Sequence, residues 1–233
     1  ICGKDASLAL DMMNTAKDSM VPPFEISVFP DPAGSFTTAA AMVACTEKTL
    51  KHKFNTNLKD KNIIIYGGKG IVGGISAIMC AKEGSKCTIV GYDGITNVKK
   101  KAEEYKSRFG VDIIPADGTT DELNSSYLPQ ADVIFCAARA GTQVISEEQL
   151  KLAKNTKVLA DVNAVPPAGL GGVNLKDDDA EHPCGGLSIG PLTSGDIKVK
   201  TQYRMFEKMC AADNPLYLNF EEALTTSREI LKL

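Results

Sequence analysis

The sequence predicts an α/β protein with a Rossmann-type parallel sheet, accompanied by a second, smaller α/β domain. From position 62 onward, short apolar segments alternate with helical ones, and a glycine-rich turn follows the first of these segments. Apolar strands separated by helices are typical of a parallel sheet that is covered on both faces. The length of 233 residues is enough for one large or two small domains with a core that needs no disulfides.

The composition excludes several classes of partner. Lys plus Arg number 26 and Asp plus Glu number 29, giving a formal net charge of −3, so no basic surface for nucleic acid or an anionic membrane is expected. The longest apolar run, 71–81, is interrupted by Ser76 and is shorter than the roughly 20 residues of a membrane span. No basic-then-apolar leader opens the chain, so we expect no signal peptide, and the use of cysteine predicts a cytoplasmic protein.

The cysteines and histidines do not form a metal-binding pattern. There are seven cysteines without a C-x-x-C pair, and His52 and His182 lie far apart. An odd number of cysteines scattered through apolar stretches predicts buried free thiols in a reducing compartment. We therefore expect no metal site.

Two helices with a short strand between them are predicted in the first 54 residues. Asp5 or Ser7 is expected to cap the first helix, and Ser35 to cap the second, which is rich in alanine. The predicted ranges are 5–19 and 36–53 for the helices and 24–29 for the strand.

Five strands and five helices are predicted after position 62. The strands cover 62–66, 87–91, 111–115, 133–137 and 158–162. The helices cover 71–83, 96–108 and 146–154, with two more near 199–211 and 219–232. The acidic run 177–179 is interpreted as a solvated loop.

The glycine-rich turn carries the strongest chemical signal. It has the pattern G-x-G-x-x-G between a strand and a helix, the context in which this motif binds a dinucleotide. The first glycine permits a tight turn, the second lets the backbone approach a pyrophosphate, and the third allows close helix–strand packing. The predicted cofactor-binding residues are Gly68, Lys69, Gly70, Ile71, Val72 and Gly73. A glycine-rich turn that binds nothing is the alternative.

The end of the second strand indicates which dinucleotide binds. Asp93 lies 20 residues beyond Gly73 and follows Tyr92. A carboxylate there accepts hydrogen bonds from the ribose hydroxyls and repels a 2′-phosphate, so Tyr92 and Asp93 favour NAD over NADP. Two alternatives stay open: Asp93 only begins a turn, or the lysines at 99–101 admit a 2′-phosphate.

Two later loops are also predicted to contact the cofactor. Ala137 and Ala138 follow the fourth strand, where small side chains let a cofactor pass over the backbone. Asn163 follows the fifth strand and is placed to bind a nicotinamide carboxamide. The alternative for Asn163 is a turn-stabilising role.

Several motifs together resemble the NAD(P)-dependent methylene-tetrahydromethanopterin dehydrogenases of one-carbon metabolism. They are Asp31-Pro32-Ala33-Gly34-Ser35 with 37–41, the glycine turn, 160–167, Gly171-Gly172, and 190–192 leading to 195–200. The resemblance runs from Ile1 to about Glu222. It implies an oxidoreductase that transfers a hydride from the methylene group of a reduced pterin carrier to NAD, or to NADP, and leaves a methenyl group.

The resemblance also implies an organisation in two domains with a cleft between them. A partial pterin-binding domain and linking helix would cover 1–54, the Rossmann domain 55–200, and helices returning to the pterin domain 201–233. Further strands would precede Ile1, and the protein would be a homo-oligomer.

By the same resemblance, Lys198 is the candidate catalytic side chain. We expect it to orient the pterin through hydrogen bonds, because an ammonium beside the developing cation would be repulsive. Asp5, Asp31 and Gly34 are the candidate substrate-binding residues, since a carboxylate suits the paired N–H donors of the pterin ring. A helix cap is the alternative for Asp5, and a solvated helix face that includes Lys200 is the alternative for Lys198.

Two other functions stay open. One is a dehydrogenase of methylene-tetrahydrofolate, which has the same reacting ring. The other is a redox sensor that binds a dinucleotide without turnover. NADP-preferring members of the family carry basic residues at the positions of Tyr92 and Asp93, so this departure agrees with NAD.

Overall fold

Seven strands form one sheet in the computed structural model, which describes residues 1–233. They are β1 (Asn62–Tyr66), β2 (Lys86–Gly91), β3 (Ile114–Asp117), β4 (Val133–Cys136), β5 (Val158–Asp161), β6 (Asp178–Glu181) and β7 (Leu187–Ile189). The order is β3-β2-β1-β4-β5-β7-β6, and all neighbours are parallel except β6 and β7. The order reverses between β1 and β4, which confirms the predicted Rossmann-type sheet.

Eight helices surround the sheet. They are α1 (Ala6–Ser19), α2 (Ser35–Phe54), α3 (Ile71–Lys82), α4 (Ile95–Phe109), α5 (Asp121–Ser126), α6 (Glu147–Leu150), α7 (Pro191–Ala211) and α8 (Phe220–Leu231). None of them combines the length and apolar composition needed to span a membrane.

The side chains of β1 alternate between two hydrophobic cores. Ile63 and Ile65 belong to the larger core, which also holds the buried residues of α2, α3 and α8. Ile64 and Tyr66 belong to the smaller core on the other face of the sheet. Since both faces are buried, the strand is apolar throughout, as its sequence indicates.

Asp31, rather than the predicted Ser35, caps the long helix α2. Its Oδ1 accepts hydrogen bonds from the backbone amides of Phe36 at 2.9 Å and Thr37 at 3.2 Å, while Ser35 is already the first helical residue. The short turn Pro32–Gly34 makes this possible, because positive φ angles at Ala33 and Gly34 fold Asp31 back over the helix start. Such a cap satisfies amides that have no partner within the helix.

The prediction for 24–29 is wrong, whereas the helix before it is confirmed. Asp5 caps α1 by accepting a hydrogen bond from the Leu8 amide at 2.8 Å. In the predicted strand only Val28 pairs, through a bridge to Tyr217. The other residues of 24–29 have no strand beside them, so alternation in the sequence is not matched by a ladder.

Four segments in the second half differ from the predicted ranges. Strand β3 begins at Ile114, and α6 is one turn long before the chain continues in i+3 turns. The acidic run is not a free loop, because most of it lies in the edge strand β6, where Lys48 of α2 pairs with Asp178. Helix α7 begins at Pro191, so the predicted domain division after position 200 falls inside one helix. The domain limits stay a prediction.

The cysteines correct the expectation of uniformly buried thiols. All seven are free, and Cys45, Cys80, Cys87 and Cys136 are buried. Cys2 and Cys210 are exposed, and Cys184 is half-buried. Local apolar composition does not report exposure on a terminus or on the outer face of a helix.

Candidate functional site

A cleft of 520 Å³ lies at the carboxyl ends of β1, β2 and β4, where the strand order reverses. Its walls are the glycine turn after β1, Tyr92 after β2, and the segment 137–139 after β4. Open α/β sheets bind ligands at this edge, because the chain leaves neighbouring strands in opposite directions.

Three glycines let the turn pack against the strands without a side chain between them. A Cβ on Gly67, whose φ is +79°, would lie 2.4 Å from the carbonyl oxygen of Ala137. On Gly68 it would lie 2.4 Å from Cγ2 of Ile89, and on Gly73 it would lie 2.6 Å from the oxygen of Gly67. Gly67 was not among the predicted residues, although the Gly67-Gly68 pair at the strand end is a sequence signal for it.

The first turn of α3 begins directly after Gly70, which lines the cleft, and the backbone amides of its first three residues have no hydrogen-bond partner. Gly70 precedes the helix without a side-chain cap, so the amides of Ile71, Val72 and Gly73 have no acceptor within the helix. These donors and the positive end of the helix dipole form an anion site. The arrangement fits a pyrophosphate.

Lys69, Tyr92 and Asp93 form one cluster at the rim of the cleft. The Lys69 ammonium pairs with the Asp93 carboxylate and lies 5.0 Å from the centre of the Tyr92 ring. Asn97, which the sequence pattern did not identify, donates to Asp93 at 3.0 Å. Hydrogen bonds from Lys69 and Asn97 hold the pKa of Asp93 below its ordinary value, so this carboxylate is ionised near neutral pH.

The backbone after β4 forms another wall of the cleft. Ala137 and Ala138 line it with small side chains, as predicted, and the Ala137 carbonyl is the group that Gly67 approaches. Arg139 and Asn124 also line the cleft and were not predicted. Arg139 directly follows the two alanines, which is the signal that would have identified it.

The side-chain polar atoms of Asn163 form hydrogen bonds within the loops rather than lying free at the cleft. Its Oδ1 accepts hydrogen bonds from the amides of Gly141 at 3.2 Å and Val165 at 3.0 Å, and its Nδ2 donates to the Pro167 oxygen at 2.9 Å. The residue is only 5% exposed. This is the turn-stabilising role, and the contact with a nicotinamide stays a prediction.

Asp161, at the end of β5, organises the loop that contains Asn163. Its carboxylate is 1% exposed and accepts hydrogen bonds from the amides of Asn163 at 2.8 Å and Leu170 at 2.9 Å. Burial raises the pKa of Asp161, and the backbone donors oppose that shift. The sequence pattern did not identify this role, because the two amides come from both ends of the loop.

Asp31, Gly34 and Lys198 come together, and Gln202 joins them. Nζ of Lys198 lies 3.3 Å from Oε1 of Gln202, whose Nε2 donates to Oδ2 of Asp31 at 3.0 Å. A Cβ on Gly34 would lie 3.3 Å from Nζ of Lys198. Gln202 was not predicted, although its i+4 spacing from Lys198 places both on one helix face.

Lys198 does not share a solvated face with Lys200. Lys198 is half-buried, whereas Lys200 is exposed and pairs with Asp196. Helix α7 starts directly after β7, so Lys198 lies about 12 Å along the helix from the carboxyl edge of the sheet. The glycine turn lies at the same edge.

Asp5 forms no hydrogen bond with this group. Its helix, α1, contacts α4, where Ser7 donates to Glu104 at 2.9 Å and Arg108 pairs with Asp11. Asp5 is exposed and caps α1. Its contact with a substrate stays a prediction.

Comparison with known proteins identifies close sequence similarity. The family model described as methylene-tetrahydromethanopterin dehydrogenase, N-terminal, matches residues 1–33. The NAD(P)-dependent methylenetetrahydromethanopterin dehydrogenase of Methylorubrum extorquens is 47% identical over 231 residues, which is 99% of this chain and 78% of that protein.

Solved structures share the fold at low sequence identity. Quinate dehydrogenase from Corynebacterium glutamicum in complex with NAD is 16% identical, with a TM-score of 0.54 over 84% of this chain and 62% of that one. Shikimate 5-dehydrogenase from Listeria monocytogenes is 16% identical, with a TM-score of 0.51 over 98% and 83%. The chain spans between 51% and 57% of several other matched structures.

Replacing Asp161 with Ala is expected to destabilise the protein by about 3 kcal/mol, because each buried amide left without an acceptor costs about 1–3 kcal/mol. Urea denaturation followed by circular dichroism measures the free energy of unfolding. Asp112→Ala is the matched control, since the Asp112 side chain is 84% exposed and pairs only with Lys106. Equal stability of the two variants would contradict this role of Asp161.

Proposed function

Since the chain belongs to the NAD(P)-dependent methylenetetrahydromethanopterin dehydrogenase family, we propose that it transfers a hydride from methylene-tetrahydromethanopterin to NAD or NADP, forming methenyl-tetrahydromethanopterin. The identity of 47% over 99% of the chain carries this proposal and confirms the resemblance seen in the sequence. It does not favour the folate dehydrogenase or the sensor without turnover.

The residues of the cleft fit a nicotinamide dinucleotide. The amides of Ile71, Val72 and Gly73 would hold its pyrophosphate, and the glycine turn packs so closely against the strands that a Cβ on Gly67 or Gly68 would collide with Ala137 or Ile89. Tyr92 and Asp93 would receive the adenosine ribose, and the segment 137–138 would lie along the nicotinamide half. When bound, the coenzyme supplies the hydride acceptor.

The reaction requires the protein to align the substrate with the coenzyme and does not require acid–base catalysis. Loss of hydride from a carbon between two nitrogens leaves a cation delocalised over both nitrogens, and no proton is transferred in the step. The contribution of the protein is therefore to hold the reacting carbon at the correct distance and angle. Fixed dipoles around the developing cation add to this effect.

We propose that Lys198 binds an acceptor on the pterin and that Gln202 positions Lys198. The Lys198 ammonium has a neutral partner, the amide oxygen of Gln202, and keeps donors for a carbonyl oxygen or ring nitrogen. Because the ammonium would repel the forming cation, the acceptor that it binds is one away from the reacting carbon. Gly34 leaves the space in which the ammonium lies.

Asp31 supports the pair of Lys198 and Gln202 by accepting a hydrogen bond from Gln202. One of its oxygens caps α2, and the other accepts from the Thr37 hydroxyl at 2.8 Å and from Gln202. With Nε2 directed at Asp31, the oxygen of the Gln202 amide faces Lys198. We propose that Asp31 acts through Gln202, so it is a positioning residue.

The preference for NAD over NADP belongs to the same proposal. The ionised Asp93 carboxylate would accept hydrogen bonds from the ribose hydroxyls and repel a 2′-phosphate. Lys69 partly offsets that repulsion, because its ammonium is already paired with Asp93 at the rim. The cluster therefore favours NAD while leaving NADP acceptable.

The remaining features of the proposal rest on the family resemblance. They are a pterin-binding domain formed by the N-terminal residues, a cytoplasmic location, and assembly as a homo-oligomer. The partner is the reduced pterin carrier.

The activity is tested by the near-ultraviolet absorbance of the reduced coenzyme. Methylene-tetrahydromethanopterin and methylene-tetrahydrofolate are each offered with NAD and with NADP to the full-length protein. We expect fastest reduction with the methanopterin substrate and NAD. Faster reduction with the folate substrate would show that methylene-tetrahydrofolate, rather than methylene-tetrahydromethanopterin, is the substrate. Coenzyme binding without any reduction would support the sensor.

Lys198→Ala is expected to lower turnover about tenfold or more, equivalent to at least 1.4 kcal/mol of transition-state stabilisation. Gln202→Leu should lower turnover and raise KM for the pterin while KM for NAD is unchanged, because the coenzyme contacts are elsewhere. Lys200→Ala is the control and should behave as the parent. A Gln202→Leu enzyme with unchanged pterin kinetics would contradict the positioning role.

Asp93→Asn is expected to raise the ratio of kcat/KM for NADP to kcat/KM for NAD by about tenfold, because it removes a charge that repels the 2′-phosphate. Lys69→Met should change the ratio in the opposite direction. Initial rates with both coenzymes provide the measurement, with Asp112→Asn as a charge-matched control on the same domain. An unchanged ratio in Asp93→Asn would be inconsistent with the assignment.

A further inference from the structure

The hairpin between β6 and β7, outside the cleft, contains a cysteine beside a histidine. The sequence of its turn is His182-Pro183-Cys184-Gly185, closed by a hydrogen bond from the Gly185 amide to the His182 oxygen at 2.8 Å. Proline in the second position suits such a turn, because its φ is already set. The turn folds the His182 side chain toward the residue two positions later.

The two side chains are in direct contact. Nδ1 of His182 lies 3.1 Å from Sγ of Cys184 and accepts a hydrogen bond from the Cys184 amide at 3.2 Å. The other ring nitrogen, Nε2, lies 2.8 Å from the carbonyl oxygen of Gly171 and therefore carries a hydrogen. Nδ1 is left as the atom that can take the thiol proton.

Proton transfer within the pair makes both ring nitrogens donors. The Cys184 amide then loses Nδ1 as its acceptor and can donate to the thiolate, as the Gly186 amide does. The imidazolium donates from Nε2 to Gly171 and from Nδ1 to the thiolate. Glu147, at the start of α6, is the charged side chain that faces the pair. A Cβ on Gly172 would lie 2.6 Å from Nε2 of His182 and 3.4 Å from Oε2 of Glu147.

The pKa shifts of both residues favour the ion pair of imidazolium and thiolate. Burial opposes charge on each, lowering the pKa of His182 and raising that of Cys184. The hydrogen bond between the two side chains opposes the effect of burial. The Gly171 carbonyl and Glu147 also raise the pKa of His182, and the Gly186 amide also lowers the pKa of Cys184. The result is a raised pKa for His182 and a lowered pKa for Cys184.

The other cysteines lack this combination. Burial raises the pKa of Cys45 to about 12 and also raises that of Cys136, so neither is a nucleophile near neutral pH. Cys2 and Cys210 are exposed but make no contact with a histidine. Cys184 alone is both half-buried, within reach of a small reagent, and paired with an imidazole.

We propose that Cys184 is a modification site at which a thiolate, held by the His182 imidazolium, reacts with small disulfides. The thiolate attacks one sulfur of the disulfide, a new sulfur–sulfur bond forms to Cys184, and the original bond breaks. The released thiolate takes a proton from solvent, so no net electrons are gained or lost. The reaction requires neither the coenzyme nor the pterin, and it does not rest on the dehydrogenase activity.

Limiting iodoacetamide followed by peptide mass spectrometry tests the site in the native protein. We expect Cys184 to be alkylated about tenfold faster than Cys210 at about pH 6, where an ordinary thiol with a pKa of about 8.5 is protonated. Oxidised glutathione should form its mixed disulfide on the peptide that contains Cys184. Alkylation of Cys184 no faster than that of Cys210 would overturn the proposal.

His182→Gln separates the effect of the imidazole from exposure. It keeps a donor toward Gly171 but cannot take a proton, so alkylation of Cys184 at low pH should fall to the rate of Cys210. His52→Gln is the matched control and should leave the rate unchanged. The pH profile of the wild type is independent of any variant, and a midpoint at or above about 8.5 for Cys184 would also overturn the proposal.

Discussion

The close approach of the glycine turn to the ends of β2 and β4 is the constraint on which the cleft depends. Gly67 and Gly68 pass within a distance of neighbouring atoms that no Cβ would tolerate. This contact sets the start of α3 at the reversal of the strand order, directly after Gly70, which lines the cleft. A side chain at position 67 or 68 would displace the helix start and with it the anion site.

Asp31 and Asp161 are buried, and each holds segments of the proposed site in place through several hydrogen bonds. Asp161 gathers backbone amides from the two ends of one loop, while Asp31 joins the start of α2 to Gln202 on α7. A carboxylate accepts several hydrogen bonds at once, so each residue connects segments that are distant in sequence. Loops positioned this way keep their geometry without regular secondary structure.

Hydride transfer from a carbon between two nitrogens needs alignment and no proton relay, and the residues of the proposed site fit that requirement. Its distinctive residues are hydrogen-bonding groups held by other groups, as Lys198 is by Gln202 and Asp93 is by Lys69. The thiol–imidazole pair of Cys184 and His182 lies outside the cleft and has a different chemistry. Its reactivity is therefore separable from the dehydrogenase.

The sequence by itself determined the parallel sheet, the glycine turn and the family, because these depend on local periodicity and contiguous motifs. Glycines mark where a backbone must pass closely, and the apolar runs mark strands buried on both faces. The short strand expected over 24–29 failed for the same reason, since a ladder requires a neighbour that local alternation does not specify.

The tertiary structure decided which polar side chains meet. Asp31 caps a helix that Ser35 was expected to cap, Gln202 joins Lys198 to Asp31, and Asn163 is bonded within its own loops. Asp5 caps α1 and forms no hydrogen bond with the residues with which it was grouped. Hydrogen bonds between distant segments depend on the packing of whole helices, so residue type and spacing predict the candidates but not their partners.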